Sequence, residues 1–474
     1  MTQDSESYVN LADSLAQQHT YSLPYVEANA LSLQYRGESH TPPPWPPGYP
    51  AVTALLVLTT GLPTAAAARW VALAAALVCV LLVYRLCRAL GCSPWLAAIG
   101  AACFAVAPGT AMVVPSVWSE TLFLVPVLLA LICLAKAREI GWRQALLIGL
   151  LAAAAGLVRY VAVGLILAIA ICILMRARRE PILKKLWLLA LSAGLPTAAM
   201  AGWFIRNRLV TGSFTGHQIP PCDSFAVNLS QALRALVPLF AGQHNGKEAL
   251  IGVLALSALA LAVMWAVQRR RATPEPSYTA GLRCALIFIA GYLLWVSVAR
   301  TMTGVSPIQV RYAWPVLPMM IGVGLALLQR LLTASPRPAV PAAVAALALL
   351  AVVGCGCLTL RDGYQIEKRQ ALEGAQQRAA MVQSPELQAL IRGKTILFVE
   401  TWPQTMRALA TTASRVWYMS PYVYSICDFA HPGPWRDWFE GIDAVLALAP
   451  LPLGNGQWVE RRVGPTAIIY TRSQ

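Results

Sequence analysis

Long apolar runs alternate with short polar connections along most of the chain. Runs able to cross the roughly 30 Å hydrocarbon core of a bilayer occupy residues 64–90, 94–114, 119–137, 186–206, 248–268, 281–299, 312–330 and 338–358. A further stretch over 144–176 is too long for one span and is interrupted by Arg159 and Tyr160, so it reads as a helical hairpin with those two residues near its tip. The pattern predicts an all-α polytopic membrane domain of about ten transmembrane helices. After residue 359 the periodicity changes. Residues 365–391 look helical, residues 402–413 fit a second helix, and short β-branched or aromatic runs at 395–400, 415–419, 444–448 and 466–472 read as strands. That predicts a small C-terminal α/β domain.

Charge sets the orientation. Charged residues make up only 12% of the chain, against about 25% in soluble domains, and the formal net charge is +16. The cations cluster in alternate connections: Arg85 and Arg88; Lys136, Arg138 and Arg143; Arg176, Arg178, Arg179, Lys184 and Lys185; Arg269, Arg270, Arg271 and Arg283; Arg330 and Arg337. Among them stand only three acids, Glu139, Glu180 and Glu275. By the positive-inside rule these connections are cytoplasmic. Nucleic-acid binding is excluded as the source of the charge, because no basic stripe or RNA-binding motif accompanies it.

The opposite connections are then extracytoplasmic: residues 1–47, the loop 207–247 and the tail beyond 360, which together hold all five histidines. The apolar run at 46–63 is short and bounded by prolines. Counting it as a span would invert every later loop, so it reads as a helix lying along the outer interface. The expected division is 1–63 as a first outer loop with juxtamembrane helices, 64–358 as the transmembrane domain, and 359–474 as an outer α/β domain. With residue 1 already outside, a further transmembrane helix is expected before Met1. These features fit an integral protein of a bacterial inner membrane. Cys222 and Cys427 fall in outer segments, where a disulfide between them is chemically available; the other cysteines mostly sit in or beside apolar runs as small hydrophobes.

Candidate chemistry lies at the outer ends of the helices. Asp4 and Glu6 occur in DSESY before an amphipathic stretch, and Glu120 occurs in VWSETLF where an outer connection re-enters the membrane. A carboxylate there is either a helix cap or a functional acid. Arg159 interrupts an apolar hairpin, Arg206 ends a span in GWFIRN, and Arg311 begins one in VRYAWPVLP. Three arginines on the side that the charge rule disfavours form a candidate phosphate cradle, since a guanidinium binds phosphate oxygens bidentately. Snorkelling to the interface is the plain alternative.

The string DSESYVNLADSL followed by PPWPPGYPAV resembles the first outer loop of GT-C superfamily glycosyltransferases, in particular glycosyltransferase family 39, which includes protein mannosyltransferases and lipid A aminoarabinose transferases. Arg69 in AAAARW, the turn from Pro115 to Glu120, GLVRY at 156–160, GWFIRN at 202–207 and VRYAWPVLP at 310–318 continue the resemblance in order over roughly residues 1–330. It implies sugar transfer from a polyprenyl-phosphate-linked donor to a lipid, glycan or protein acceptor, by inverting displacement. Asp4 and Tyr8 match the family's D-x-x-x-Y pattern, which makes Asp4 the implied base and Glu120 a second carboxylate. Arg159, Arg206 and Arg311, with Tyr160 and Tyr312, are implied to bind the donor phosphate. A divalent metal ion is a candidate cofactor, with His40 and His217 as candidate ligands or supports. The first loop has Asp-Ser where many relatives carry paired acids, so an acid-bridged metal does not follow from it. The alternative classes are a transporter or flippase of lipid-linked sugars and a non-catalytic binder of them.

Overall fold

The structure is a computed structural model, and it describes residues 3–23, 26–27, 43, 45–137, 139–212, 214–215, 224–241, 276–302, 308–334, 383–399, 415–419, 443–447, 458–463 and 467–472. The predicted spans at 248–268 and 338–358, the predicted helix at 402–413, His40, His217, Cys222 and Cys427 lie outside the described residues.

The chain begins with α1 (Gln3–Gln18), followed by α2 (Gly48–Thr60) and α3 (Thr64–Ala89). Next come α4 (Pro94–Val106), α5 (Pro108–Val113), α6 (Glu120–Lys136), α7 (Trp142–Val158) and α8 (Val163–Arg176). A long segment then runs through α9 (Ile182–Leu189), one π-helical turn at 190–194 and α10 (Leu195–Thr211). The rest of the helical region is α11 (Phe225–Arg234), α12 (Pro238–Ala241), α13 (Pro276–Met302), α14 (Val310–Ala313) and α15 (Leu317–Ala334).

Among the described residues, five helical segments are long and apolar enough to cross a membrane: Thr64–Ala89, Tyr160–Arg179, Ile182–Thr211, Ala280–Met302 and Val310–Arg330. Two of the ten expected spans lie outside the described residues, so within the described ones this corrects an expectation of eight. The run at 94–114 is divided because Ala107, which precedes Pro108, is extended at φ −59 and ψ 139; the proline ring disfavours helix at the residue before it. At 17 residues each, α6 and α7 reach about 25 Å, the lower limit for a crossing. The 144–176 stretch does break at Arg159, which is extended at φ −152 and ψ 137. Arg176, at the end of α8, donates to the Ala137 carbonyl just before α7, so the two helices run back along each other.

α6 is the buried centre of the bundle, and Phe123, Leu124, Val127, Leu128, Leu131 and Leu134 are all buried on it. Glycine lets two helices meet where a side chain would collide. A Cβ at Gly149 on α7 would fall 1.9 Å from the Leu191 carbonyl oxygen, which sits in the π-helical turn. A Cβ at Gly48 would fall 2.7 Å from the Leu157 oxygen, so the start of α2 abuts the end of α7, next to Arg159.

The C-terminal region carries α16 (Pro385–Ile391) and an open sheet of β1 (Val26–Glu27), β2 (Thr395–Val399), β3 (Arg415–Met419), β4 (Ala444–Ala447), β5 (Trp458–Val463) and β6 (Ala467–Arg472), in the order β1-β3-β2-β4-β6-β5. β3, β2 and β4 are parallel, whereas β6 is antiparallel to both β4 and β5. The four expected strands are present. The edge strands β5 and β1 were not foreseen, and β1 comes from the N-terminal segment, with Val26 opposite Trp417 and Glu27 opposite Tyr418.

Candidate active site

The turn from Val114 to Ser119 leads into α6 and is built around a strained residue. Val117 has φ +57, a region a β-branched side chain rarely enters, and it is held there with 2% exposure. The turn sets Trp118 against Arg311, whose guanidinium carbon lies 5.0 Å from the indole ring centre. Behind it, Ser119 and Glu120 are buried.

Glu120 is the first residue of α6, where the positive end of the helix dipole favours a carboxylate. Its side chain is 1% exposed, and its Oε2 lies 2.8 Å from Arg159 Nη1. A buried carboxylate needs such a partner, because an isolated charge out of water is costly. Among the described residues, Glu120 Oε1 and Arg159 Nε have no hydrogen-bond partner. Arg159 occupies the break between α7 and α8 and also donates from Nη1 to Ser119 Oγ at 2.8 Å. The like charge of Arg311 reaches it as well.

α1 closes over this pair. Ser5 donates to the Ser116 carbonyl, and Ser119 Oγ donates to the Tyr8 hydroxyl at 3.2 Å. Tyr8 packs its ring on Trp45 and Tyr49 with centroids 6.0 and 5.4 Å apart. Farther along α1, Thr64 at the start of α3 donates to Asp13 Oδ1 at 2.7 Å. Asp4 falls in the first turn of α1, directly before the Ser5 contact, with its side chain outside the described residues, as is that of Glu6.

Arg206 enters a different set of contacts. It donates to the Pro43 carbonyl at 3.0 Å and to Asn207 Oδ1 at 3.1 Å. Its guanidinium also stacks on Trp203 at 4.8 Å and on Tyr21 at 5.7 Å. Tyr21 donates to the carbonyls of Trp45 and Pro46 at 3.0 and 3.2 Å; burial pushes its phenol well above the usual range, so it remains a donor. Tyr160 joins the two sets, accepting from Trp203 Nε1 at 3.1 Å and Asn207 Nδ2 at 2.9 Å. Arg311 donates to the Tyr312 hydroxyl at 2.9 Å. The implied cradle of three arginines therefore divides: Arg159 and Arg311 flank the Trp118–Glu120 turn, whereas Arg206 fastens the chain at Tyr21 and Pro43 to α10. Arg69 is exposed and takes part in neither set.

Sequence reasoning missed Trp118, Ser119, Tyr21, Trp203 and Asn207. All but Tyr21 sit within motifs it had singled out, but their partners include residues distant in sequence. No group of three or more His, Cys, Asp or Glu side chains able to hold a metal comes together among the described residues.

The fold is similar to that of solved archaeal oligosaccharyltransferases. The archaeal oligosaccharyltransferase AglB from Archaeoglobus fulgidus, in complex with an inhibitory peptide and a dolichol-phosphate, aligns with 94% of this chain and 65% of its own length at a TM-score of 0.51 and 10% identity. The chain thus spans just under two thirds of that protein. The Archaeoglobus fulgidus oligosaccharyltransferase tethered to an acceptor peptide aligns with 99% of this chain and 70% of its own at 0.53 and 11% identity. The apo form covers 94% and 65% at 0.52 and 12% identity. Residues 44–203 match the family described as dolichyl-phosphate-mannose-protein mannosyltransferase. The matched range contains Glu120, Arg159 and Tyr160 but neither Asp4 nor Arg311. A search of curated proteins finds no match.

Proposed function

We propose that the protein is a membrane glycosyltransferase that moves a sugar from a polyprenyl-phosphate donor to a lipid, glycan or protein acceptor on the outer face of a bacterial inner membrane. The observation that carries this reading is the buried Glu120–Arg159 pair, with one carboxylate oxygen and one guanidinium nitrogen unsatisfied, under a helix whose first turn carries Asp4. Buried polar atoms without partners are costly, and a substrate phosphate and hydroxyl would satisfy them. The family description names a dolichyl-phosphate sugar, and one related structure carries a dolichol-phosphate; both support a polyprenyl-phosphate donor.

In the proposed step, Asp4 accepts the proton of the acceptor hydroxyl as its oxygen bonds to the anomeric carbon. The bond from that carbon to the phosphate oxygen breaks on the opposite side, inverting the centre. The electron pair leaves on the phosphate, whose growing charge Arg159 and Arg311 offset. Glu120 orients the acceptor and fixes Arg159, and Arg206 with Tyr160 and Tyr21 holds the first outer segment in place. Residues 1–63, 64–358 and 359–474 form the outer loop, the membrane domain and the outer α/β domain of this enzyme.

Deletion of the gene followed by mass spectrometry of surface glycans and polyprenyl-phosphate sugars tests the reading. A missing glycan substituent with accumulated donor is expected, restored by the wild-type gene and not by Asp4→Asn. Unchanged glycans would overturn the enzyme reading, full rescue by Asp4→Asn would remove Asp4 as base, and lost export of the lipid-linked sugar with intact transfer would favour a transporter.

A further inference from the structure

Ser119 stands at the N-cap of α6, where a serine normally accepts a hydrogen bond from the helix's own backbone and contributes about 1 kcal/mol. Here it does not. Its backbone is already helical at φ −67 and ψ −11, and its side chain makes no capping bond. The hydroxyl is fully buried and lies instead between Arg159 Nη1 at 2.8 Å and the Tyr8 hydroxyl at 3.2 Å. A guanidinium has no lone pair to offer, so it can only donate. Ser119 Oγ must therefore accept from Arg159, and its own hydrogen is directed to Tyr8. Tyr8 oxygen accepts, and its phenolic hydrogen points onward. The chain from Arg159 through Ser119 to Tyr8 has one polarity.

Arg159 Nη1 is thus held from two adjacent residues, by an ion pair with the carboxylate of Glu120 and a hydrogen bond to the hydroxyl of Ser119. The carboxylate supplies charge but leaves the guanidinium plane free to turn about a single contact; the hydroxyl is the second point that fixes it. We infer that Ser119 is a positioning residue, which gives up its helix cap to aim Arg159 and Tyr8 at the phosphate of the bound substrate. The inference rests on the donor-phosphate reading above, since it assigns Arg159 to that phosphate.

Binding separates this from a merely structural role. Farnesyl phosphate and farnesol differ only in the phosphate, and both can be titrated onto the purified full chain in detergent. Ser119→Ala is expected to weaken farnesyl phosphate about tenfold while leaving farnesol unchanged, a loss the size of one charge-assisted hydrogen bond. Ser119→Thr, which keeps the hydroxyl, is expected to bind both like wild type. Adding Arg159→Lys to Ser119→Ala should cost no more than Arg159→Lys alone, because both act through one bond. Wild-type phosphate affinity in Ser119→Ala, equal loss of both ligands, or failure of Ser119→Thr to restore binding would overturn the inference, as would a wild-type chain that does not prefer the phosphate. A wild-type chain that prefers farnesyl phosphate and shows the Ser119 effect, yet transfers no sugar, would instead refute the transferase reading and leave this one standing.

Discussion

Glu120 Oε2 and Arg159 Nη1 meet at 2.8 Å, across the start of one helix and the break between two others. Each charge is out of water, so each depends on the other. Truncating Arg159 to Ala should destabilise the protein by about 3–5 kcal/mol, because Glu120 is left buried without its partner. Glu120→Leu combined with Arg159→Met should recover most of that loss while remaining inactive. Thermal unfolding in detergent beside a transfer assay separates the two effects; activity in the double variant would show that the pair is structural only.

Arg206 lies near the end of the Ile182–Thr211 segment, and its partners are Trp203, Tyr21 and the Pro43 carbonyl. Lysine keeps the charge and loses the planar stack and the rigid fork. Arg206→Lys is therefore expected to loosen the first outer segment, and limited proteolysis of membranes should cut within residues 19–47 several-fold faster than in wild type. An unchanged cleavage rate would mean that this segment is held elsewhere.

The helical bundle was largely legible in the sequence because apolar runs and basic connections follow directly from the cost of burying charge in lipid. Arg159 announced its own helix break, since no neighbouring residue shares its polarity. Among the described residues the spans are fewer than expected partly for a local reason: Pro108 cuts one apolar run, and hydropathy does not register a helix end made by backbone sterics. The site was legible as isolated residues and not as an arrangement. Ser119 looks like an ordinary cap in W-S-E, and its diversion to Arg159 and Tyr8 requires contacts more than a hundred residues apart in one case. Arg206 and Arg311 are equivalent in sequence, each an arginine at an outer helix end, and only the rings around them tell them apart. Strand β1 has two residues, too few to show any alternation.

Gly149 supplies a packing test independent of function. The Leu191 oxygen lies 1.9 Å from where its Cβ would be, and this is backbone that cannot rotate away. Gly149→Ala should lower stability by about 1–3 kcal/mol or more through overpacking. Gly202 on α10 has open space at the same position, and Gly202→Ala there should be neutral or slightly stabilising, by up to about 1 kcal/mol. Equal unfolding temperatures for the two variants would contradict the close approach of α7 to the π-helical turn.

The pairing of Val26 with Trp417 joins the segment carrying Asp4 and Tyr8 to the C-terminal sheet, and it is open to a direct chemical test. Partners on adjacent strands lie about 4.8 Å apart, within the Cα separation a disulfide accepts. In a chain carrying Val26→Cys and Trp417→Cys, mild oxidation should therefore form a cross-link, visible after a protease cut between the two positions as fragments that stay together until reduced. Val26→Cys paired with a cysteine at Thr395, one strand farther from β1 in the sheet order, should not cross-link. If oxidation joins neither pair, β1 does not belong to this sheet. If only the first pair closes, the C-terminal sheet grips the chain at Val26, four residues beyond Ser22, whose hydroxyl contacts Ser14 and Thr20 at the end of α1, close enough for movement of the sheet to be felt at the Tyr8 end of the site.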